Sequence, residues 1–463
     1  MTASGPSRTT GDRFPLAGGA ALDAVRRLVQ AGRRGEANQA LLDLEPGLAG
    51  NPRALQAAGE IFLANGRFPE ALRVYRRAAD LVPDAPGALY NLAAALVAAG
   101  EMAEAEATFD RVIALDPSDA DAFYNRSILR RWTADENHLA ALEAAVARAR
   151  SPAAEVALCY ALAKELEDLG DHAASWSWLR RGADRRRSLL SYRVESDVRT
   201  MALLETVFSA EVMAQAPVAD PAPGPIFVLG LPRSGTTLVD RILCAHSDVA
   251  SLGEIPDLAL AVVQAAGPAV DKDALVRQSV AGAGPALGEA YLRRIAGYGA
   301  SAPFLIDKTP ANYLYIGLIA LSMPAARIVH VRRDPMNNGY ALYKTLFRTG
   351  CPYAYDLSDL AEYIGAYRRL MDHWRRVLPG RMIEVDYEAI VADQEGESRR
   401  LVAAVGLDWQ DRCLEFHANP APAATASAAQ VRRPIYRDSV QLWRRYEAQL
   451  EPLAGALRRQ GVL

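Results

Sequence analysis

Gly32, Gly66 and Gly100 stand 34 residues apart, as do Ala37, Ala71 and Ala105, and then Pro83 and Pro117. A register of this length repeats one supersecondary unit, and no single unit can bury its own apolar face. Within the unit, "EALRVYRRAADLVPD" and "AEATFDRVIALDPSD" share a small residue, an aromatic four positions on and a closing proline. Small alanines let paired helices approach, the aromatic fills the groove between them, and glycine ends the first helix. Proline cannot continue the hydrogen-bond ladder and stops the second. The pattern predicts stacked helical hairpins.

The unit resembles the tetratricopeptide repeat, strongly over about residues 53 to 118 and more weakly on either side. Helical hairpins are expected from "AGRRGEANQALLDL" to "CYALAKELEDLGDHAASWSWLRRGADRRR". Solenoids of this kind usually hold a peptide or partner on the concave face. The alternative is that the repeats only pack on their own catalytic domain.

Pro217, Pro221, Pro223 and Pro225 follow in "APVADPAPGP", a composition that cannot extend a helix and reads as a linker. The apolar run "IFVLG" comes next, then "FLID" at 304–307, "RIVHV" at 327–331 and "MIEVD" at 382–386, with helical segments between. Strands alternating with helices predict a central parallel sheet in an α/β domain. The expected organisation is a disordered tail at 1–19, an all-α repeat solenoid at 20–213, a linker at 214–224 and a P-loop-like α/β domain at 225–463.

The stretch "PIFVLGLPRSGTTL" places a glycine-rich loop between the first of these strands and a helix starting near Gly235 to Thr237. Unpaired amides at that helix start, the helix dipole and the hydroxyls of Ser234, Thr236 and Thr237 suit an anion. A triphosphate loop requires G-x-x-x-x-G-K-[ST]. Gly230 and Gly235 have that spacing, but Thr236 stands where the lysine belongs, and the positive charge is Arg233, inside the loop.

"LPRSGTTL" resembles the 5′-phosphosulfate loop of the sulfotransferases, in the branch that contains the tyrosylprotein sulfotransferases. Those enzymes move a sulfuryl group from 3′-phosphoadenosine 5′-phosphosulfate (PAPS) to a hydroxyl and release 3′,5′-ADP. The resemblance implies that Arg233, Ser234, Gly235, Thr236 and Thr237 bind the phosphosulfate. It maps the general base onto Glu254 in "HSDVASLGEIPDL" and a catalytic lysine onto Lys308 in "LIDKTPANY". It assigns the 3′-phosphate to Arg333 in "IVHVRRDPMNNGYALYKTLF" and a nucleotide contact to Tyr387 in "VDYEAIV". In "TASAAQVRRPIY", Ser427 matches a catalytic serine and Arg433 a basic residue of the loop that closes over PAPS. One position departs from the family: Ala341 stands where a serine usually contacts the 3′-phosphate, with Asn337, Asn338 and Tyr343 as substitutes.

These implications assign a sulfotransferase in which Arg233 and the loop amides stabilise the transferring group while Lys308 and Ser427 serve the bridging oxygen. Sulfuryl carries less charge than phosphoryl, so no metal is required. The rival readings are a P-loop kinase or nucleotide hydrolase, and a catalytically inactive repeat scaffold. The nearest branch and the solenoid suggest peptide tyrosine as acceptor, held by the repeats; carbohydrate, lipid and small phenols are the alternative acceptors, and a homodimer is compatible.

The net charge of −3 gives no global footprint for nucleic acid. The four cysteines are scattered without a CxxC, and the six histidines lie at least 34 residues apart, so neither a disulfide framework nor a metal site is expected. "MTASGPSRTTGDRFPLAGG" lacks the apolar core of a secretory signal, and nothing approaches an apolar run long enough to span a membrane. A cytoplasmic protein is expected. "SVQLWRRYEAQL" is expected to form an amphipathic helix over the core, with Trp443 in packing.

Overall fold

Tyr75 shows how the repeat closes. A Cβ at Gly59 would fall 2.5 Å from the Tyr75 ring, so a small residue there is what allows the two helices to approach. In the computed structural model, which describes residues 18–418, 435 and 440–463, this pairing recurs along the first half of the chain. The helices are α1 (Gly19–Gln30), α2 (Arg34–Leu48), α3 (Pro52–Ala64), α4 (Phe68–Leu81), α5 (Pro86–Ala99) and α6 (Met102–Leu115). Six more follow: α7 (Ala120–Ser127), α8 (Leu139–Arg148), α9 (Pro152–Leu169), α10 (His172–Ser188), α11 (Val194–Val207) and α12 (Ala210–Met213). Gly100 ends α5 in the left-handed region (φ 89°), its amide bonded back to Leu96 and Val97. Pro83 and Pro117 lie just past the ends of α4 and α6.

The sheet comprises β1 (Ile226–Leu229), β2 (Val249–Ser251), β3 (Phe304–Asp307), β4 (Arg327–Arg332) and β5 (Met382–Asp386). All neighbours are parallel in the order β2-β3-β1-β4-β5, with Ile226 opposite both Ile306 and Arg327. The four expected strands are present, and β1 is buried along its whole length. β2 was not expected: "VAS" offers one large apolar residue and no run, and the edge position is set by its pairing with β3. Helices α13 (Thr236–Cys244), α14 (Asp257–Ala266), α15 (Lys272–Ala281) and α16 (Pro285–Ala296) precede β3. Later come α17 (Ile316–Ser322), α18 (Pro335–Tyr343), α19 (Leu357–Val377), α20 (Tyr387–Ala392) and α21 (Gln394–Ala404).

The expected C-terminal helix is displaced. Leu442–Tyr446 is a short 3-10 turn, and the amphipathic helix is α22 (Glu451–Arg459). Pro452 explains the restart, because its missing amide and fixed φ suit the first turn of a new helix. Tyr446, Leu450, Leu453, Ala454 and Leu457 then form one buried stripe. Trp443 packs against the core, half-buried.

Two apolar clusters divide the repeats. Residues Leu22 to Leu129 form one of their own. From Ala120 onward, side chains of α7, α9, α10 and α11 join β1, α17, α18, α19 and α22 in a single second cluster. Among the described residues no helix is long and apolar enough to cross a membrane.

Candidate active site

β1 lies between β3 and β4, so the loop leaving its carboxyl end opens where strand order reverses, the place where open α/β sheets bind ligands. Gly230 (φ 149°) begins that loop, and a Cβ there would meet the Val331 carbonyl oxygen at 2.4 Å. Gly235 (φ 105°) caps α13, and a Cβ there would strike the Tyr387 ring at 2.5 Å. Only glycine lets the loop lie this close to β4 and to Tyr387.

Between the glycines, Arg233 has φ 66° without being glycine. Such a conformation costs on the order of 1 kcal/mol or more and persists where surrounding bonds hold it. Arg333 does so: its Nη1 donates to the Arg233 carbonyl oxygen at 2.8 Å, its Nη2 to Asn337 Oδ1 at 2.8 Å. The Arg333 guanidinium also lies 4.6 Å above the Tyr387 ring centre. Asn338 Nδ2 donates to the Pro232 carbonyl oxygen at 3.0 Å. The loop after β1, the segment after β4 and the start of α20 after β5 are thus one assembly. Arg332, on the opposite face of the strand, pairs instead with Asp386 and Glu384.

Inside the loop, Ser234, Thr236 and Thr237 are buried. Ser234 Oγ has no hydrogen-bond partner among the described residues, although buried hydroxyls are nearly always satisfied. Two glycines where a Cβ would clash, an orphaned hydroxyl and a helix N-terminus together form a cradle for an anionic oxygen.

On the other side of β1, Glu254 follows β2 and Lys308 follows β3. Lys308 Nζ donates to Glu254 Oε1 at 2.7 Å, and the lysine side chain is 2% exposed against 17% for the glutamate. Backbone pairing extends past the strands: Lys308 N donates to the Gly253 carbonyl oxygen at 2.9 Å, and Ile255 N to Thr309 Oγ1 at 3.1 Å. Gly230 N donates to the Pro310 carbonyl oxygen at 3.1 Å, joining the anion loop to the lysine segment.

The expected site residues Arg233, Ser234, Gly235, Thr236, Thr237, Glu254, Lys308, Arg333 and Tyr387 all fall on this carboxyl edge. Ser427 and Arg433 lie outside the described residues. Of the three substitutes for the missing serine at Ala341, Asn337 and Asn338 reach the loop assembly. Tyr343 does not; its ring stacks on Trp176 of α10 at 5.5 Å.

Sequence reasoning missed Asp307, the last residue of β3 and the neighbour of Lys308. Its carboxyl group is fully buried, accepting from Tyr291 Oη and the Thr309 amide, both at 3.1 Å. Burial pushes its pKa up from the ordinary 3.8 to about 6. Because the folded value is raised, the folded chain binds more protons than the unfolded between about pH 4 and 6, and stability falls as pH rises through that window. Relative to wild type, Asp307→Asn should therefore gain stability between pH 4.5 and 7. Urea midpoints at both values test this; an unchanged difference between the two proteins removes Asp307 as the titrating group.

The fold and this edge define a class: an anion-binding loop on an open parallel sheet, lacking the triphosphate lysine and preceded by a helical solenoid. Residues 225–411 match the sulfotransferase family, and residues 22–86 and 56–120 match the tetratricopeptide repeat. The chain is 30% identical over 421 residues to an uncharacterized protein of Aquifex aeolicus, covering 86% of this chain and 54% of that one. It thus spans about half the length of that relative. It is 25% identical over 256 residues to protein-tyrosine sulfotransferase A of Caenorhabditis elegans, covering 51% of this chain and 66% of the other. It is also 32% identical over 111 residues to an omega-hydroxy-beta-dihydromenaquinone-9 sulfotransferase of Mycobacterium tuberculosis, 22% of this chain and 29% of the other. This chain carries a sulfotransferase-family domain behind tetratricopeptide repeats.

Proposed function

We propose that this chain moves a sulfuryl group from PAPS to an acceptor hydroxyl by in-line transfer, with Glu254 as general base. The observation that carries the reading is the carboxyl edge itself: the glycine-rich loop, the Glu254–Lys308 pair and Arg333 follow four adjacent strands of one sheet. PAPS, when bound, supplies the activated sulfuryl group and a phosphate leaving group.

This chain's residues do the rest. Loop amides and Arg233 hold the sulfuryl oxygens, where preorganised donors act on charge that develops during transfer. Glu254 takes the acceptor proton at a carboxylate oxygen. Lys308, held beside it, neutralises the carboxylate in the resting state and serves the bridging oxygen during transfer. Arg333 and the Tyr387 ring take the 3′-phosphate end of the nucleotide. Ser427 and Arg433 complete the proposal as residues of a closing loop.

Peptide tyrosine is the favoured acceptor. The name of the Caenorhabditis elegans relative supports it, and so does the solenoid's approach to the site. Arg348, beyond α18, bonds Tyr90 Oη of α5 at 3.0 Å and Asp121 of α7 at 3.1 Å. Burial pushes the Tyr124 hydroxyl of α7 up in pKa, and the charges of Arg348 and Arg233 pull the other way. The repeat hairpins therefore pack against the segment that follows α18.

A nucleotide comparison tests the donor. A ligand at a hundred times its Kd stabilises the folded state by roughly 2.7 kcal/mol, a melting shift on the order of 5 °C. 3′,5′-ADP without metal should give that shift, magnesium ATP and 5′-AMP much less, and Arg233→Ala and Arg333→Ala should each shrink it. Equal stabilisation by magnesium ATP would favour the kinase reading; no shift with either would favour an inactive scaffold.

A further inference from the structure

We propose that the first repeat hairpin positions the candidate base: Arg34 of α2, acting through Asp257, holds the turn that carries Glu254. Asp257 opens α14 three residues after Glu254, and its side chain is fully buried. Its Oδ2 accepts from Arg34 Nη2 at 3.2 Å and from Tyr298 Oη at 2.7 Å, and its Oδ1 from Arg294 Nε at 3.2 Å.

Arg34 is itself only 3% exposed. Its Nη1 donates to the Ala64 carbonyl oxygen at 2.9 Å and to Asn65 Oδ1 at 3.2 Å, at the carboxyl end of α3. Asn65 Nδ2 returns a bond to the Arg34 carbonyl oxygen at 3.0 Å, and the guanidinium lies 4.3 Å from the Tyr298 ring centre. The side chain is fixed at both ends, to the second hairpin and to the sheet domain.

A buried carboxylate requires paired cations, and removing one partner strands the rest. The pair therefore sets one geometry between repeat and turn, where an apolar contact would tolerate sliding. The turn has two anchors. Gly253 and Ile255 bond the lysine segment at 308–309, and Asp257 bonds the solenoid. Glu254 sits between them. Misplacing a reacting group by about 1 Å can cost on the order of 10² in rate, so a restraint at Asp257 reaches the chemistry without touching it. Arg34 is in this sense a positioning residue, and the inference rests on Glu254 acting as base.

The test uses the full chain with Arg34→Met, Arg34→Lys and Tyr298→Phe. Three quantities are read: single-turnover transfer from PAPS to 2-naphthol, the Kd for 3′,5′-ADP, and amide hydrogen exchange of residues 251–258. Arg34→Met should lower the single-turnover rate roughly 10- to 100-fold. Nucleotide affinity should stay within about twofold and exchange at 253–257 should accelerate; Arg34→Lys, which keeps the charge but can bond only one end, should restore part of the rate. Tyr298→Phe, the milder change, should raise exchange at 253–257 to a smaller degree, and it decides the matter if Arg34→Met does not fold. Wild-type exchange at 253–257 in the folded variants overturns the proposal, as does a loss of affinity as large as the loss of rate. If 2-naphthol is not sulfated by wild type, exchange alone decides. Should Glu254→Gln keep its turnover while Arg34→Met loosens 253–257, the base assignment falls and the restraint stands.

Discussion

Glu254→Gln should reduce sulfuryl transfer by about 10² to 10⁴, the usual worth of a positioned general base, and leave 3′,5′-ADP affinity within about twofold. The amide keeps the side chain's size and an oxygen that can accept from Lys308 Nζ, at present 2.7 Å from the carboxylate. What it loses is the ability to take the acceptor proton. The substitution also removes the negative partner of a lysine that is 2% exposed, so a modest fall in melting temperature should accompany the fall in rate. Rates under single-turnover conditions with saturating PAPS, set beside the nucleotide Kd, separate these effects. Near-normal turnover would remove Glu254 from the mechanism; lost nucleotide binding would make it a structural residue.

A fragment beginning at residue 215 should fail to fold into a monomer. The sheet domain's apolar cluster is completed by α7, α9, α10 and α11, all of which this cut removes. Phe208 lies edge-on to Trp374 at 5.6 Å and fills the space above Gly317, where a Cβ would come within 2.6 Å of its ring. Glu167 of α9 accepts from Tyr340, Lys344 and Tyr446 at once, and its loss would leave the buried end of that network unsatisfied. Aggregation, or a soluble product without a cooperative melt, is the expected outcome. A monodisperse fragment that melts cooperatively and binds 3′,5′-ADP would show that the sheet domain stands alone. The repeats would then be free to serve recruitment only.

The sequence made the repeat register, four of the five strands and the glycine-rich loop after β1 legible, because each is a local pattern with its own physics. Glycine spacing announced both the helix ends and the loop. What stayed hidden was either too short or too distant. β2 is three residues long and owes its place to β3. The restart at Glu451 turned on Pro452, which ordinary amphipathic periodicity runs straight past. The positive φ of Arg233 is imposed by Arg333, a hundred residues away, and no side-chain type at position 233 announces it. The pairing of Arg34 with Asp257 spans 223 residues, and nothing local to either segment singles it out.

The shared core also has a consequence during synthesis. The hairpins α9 and α10 leave the ribosome long before the turn that carries Tyr446, yet Tyr446 Oη reaches His172 Nδ1 at 3.3 Å across a separation of 274 residues. Until α22 has emerged, the inner faces of these hairpins lack the aromatic surface that covers them. Contacts this remote in sequence slow folding and leave apolar surface waiting for its partner. The nascent chain thus completes this shared core only after the turn at Tyr446 has emerged, and its early helices are most exposed to aggregation and to chaperone capture in that interval.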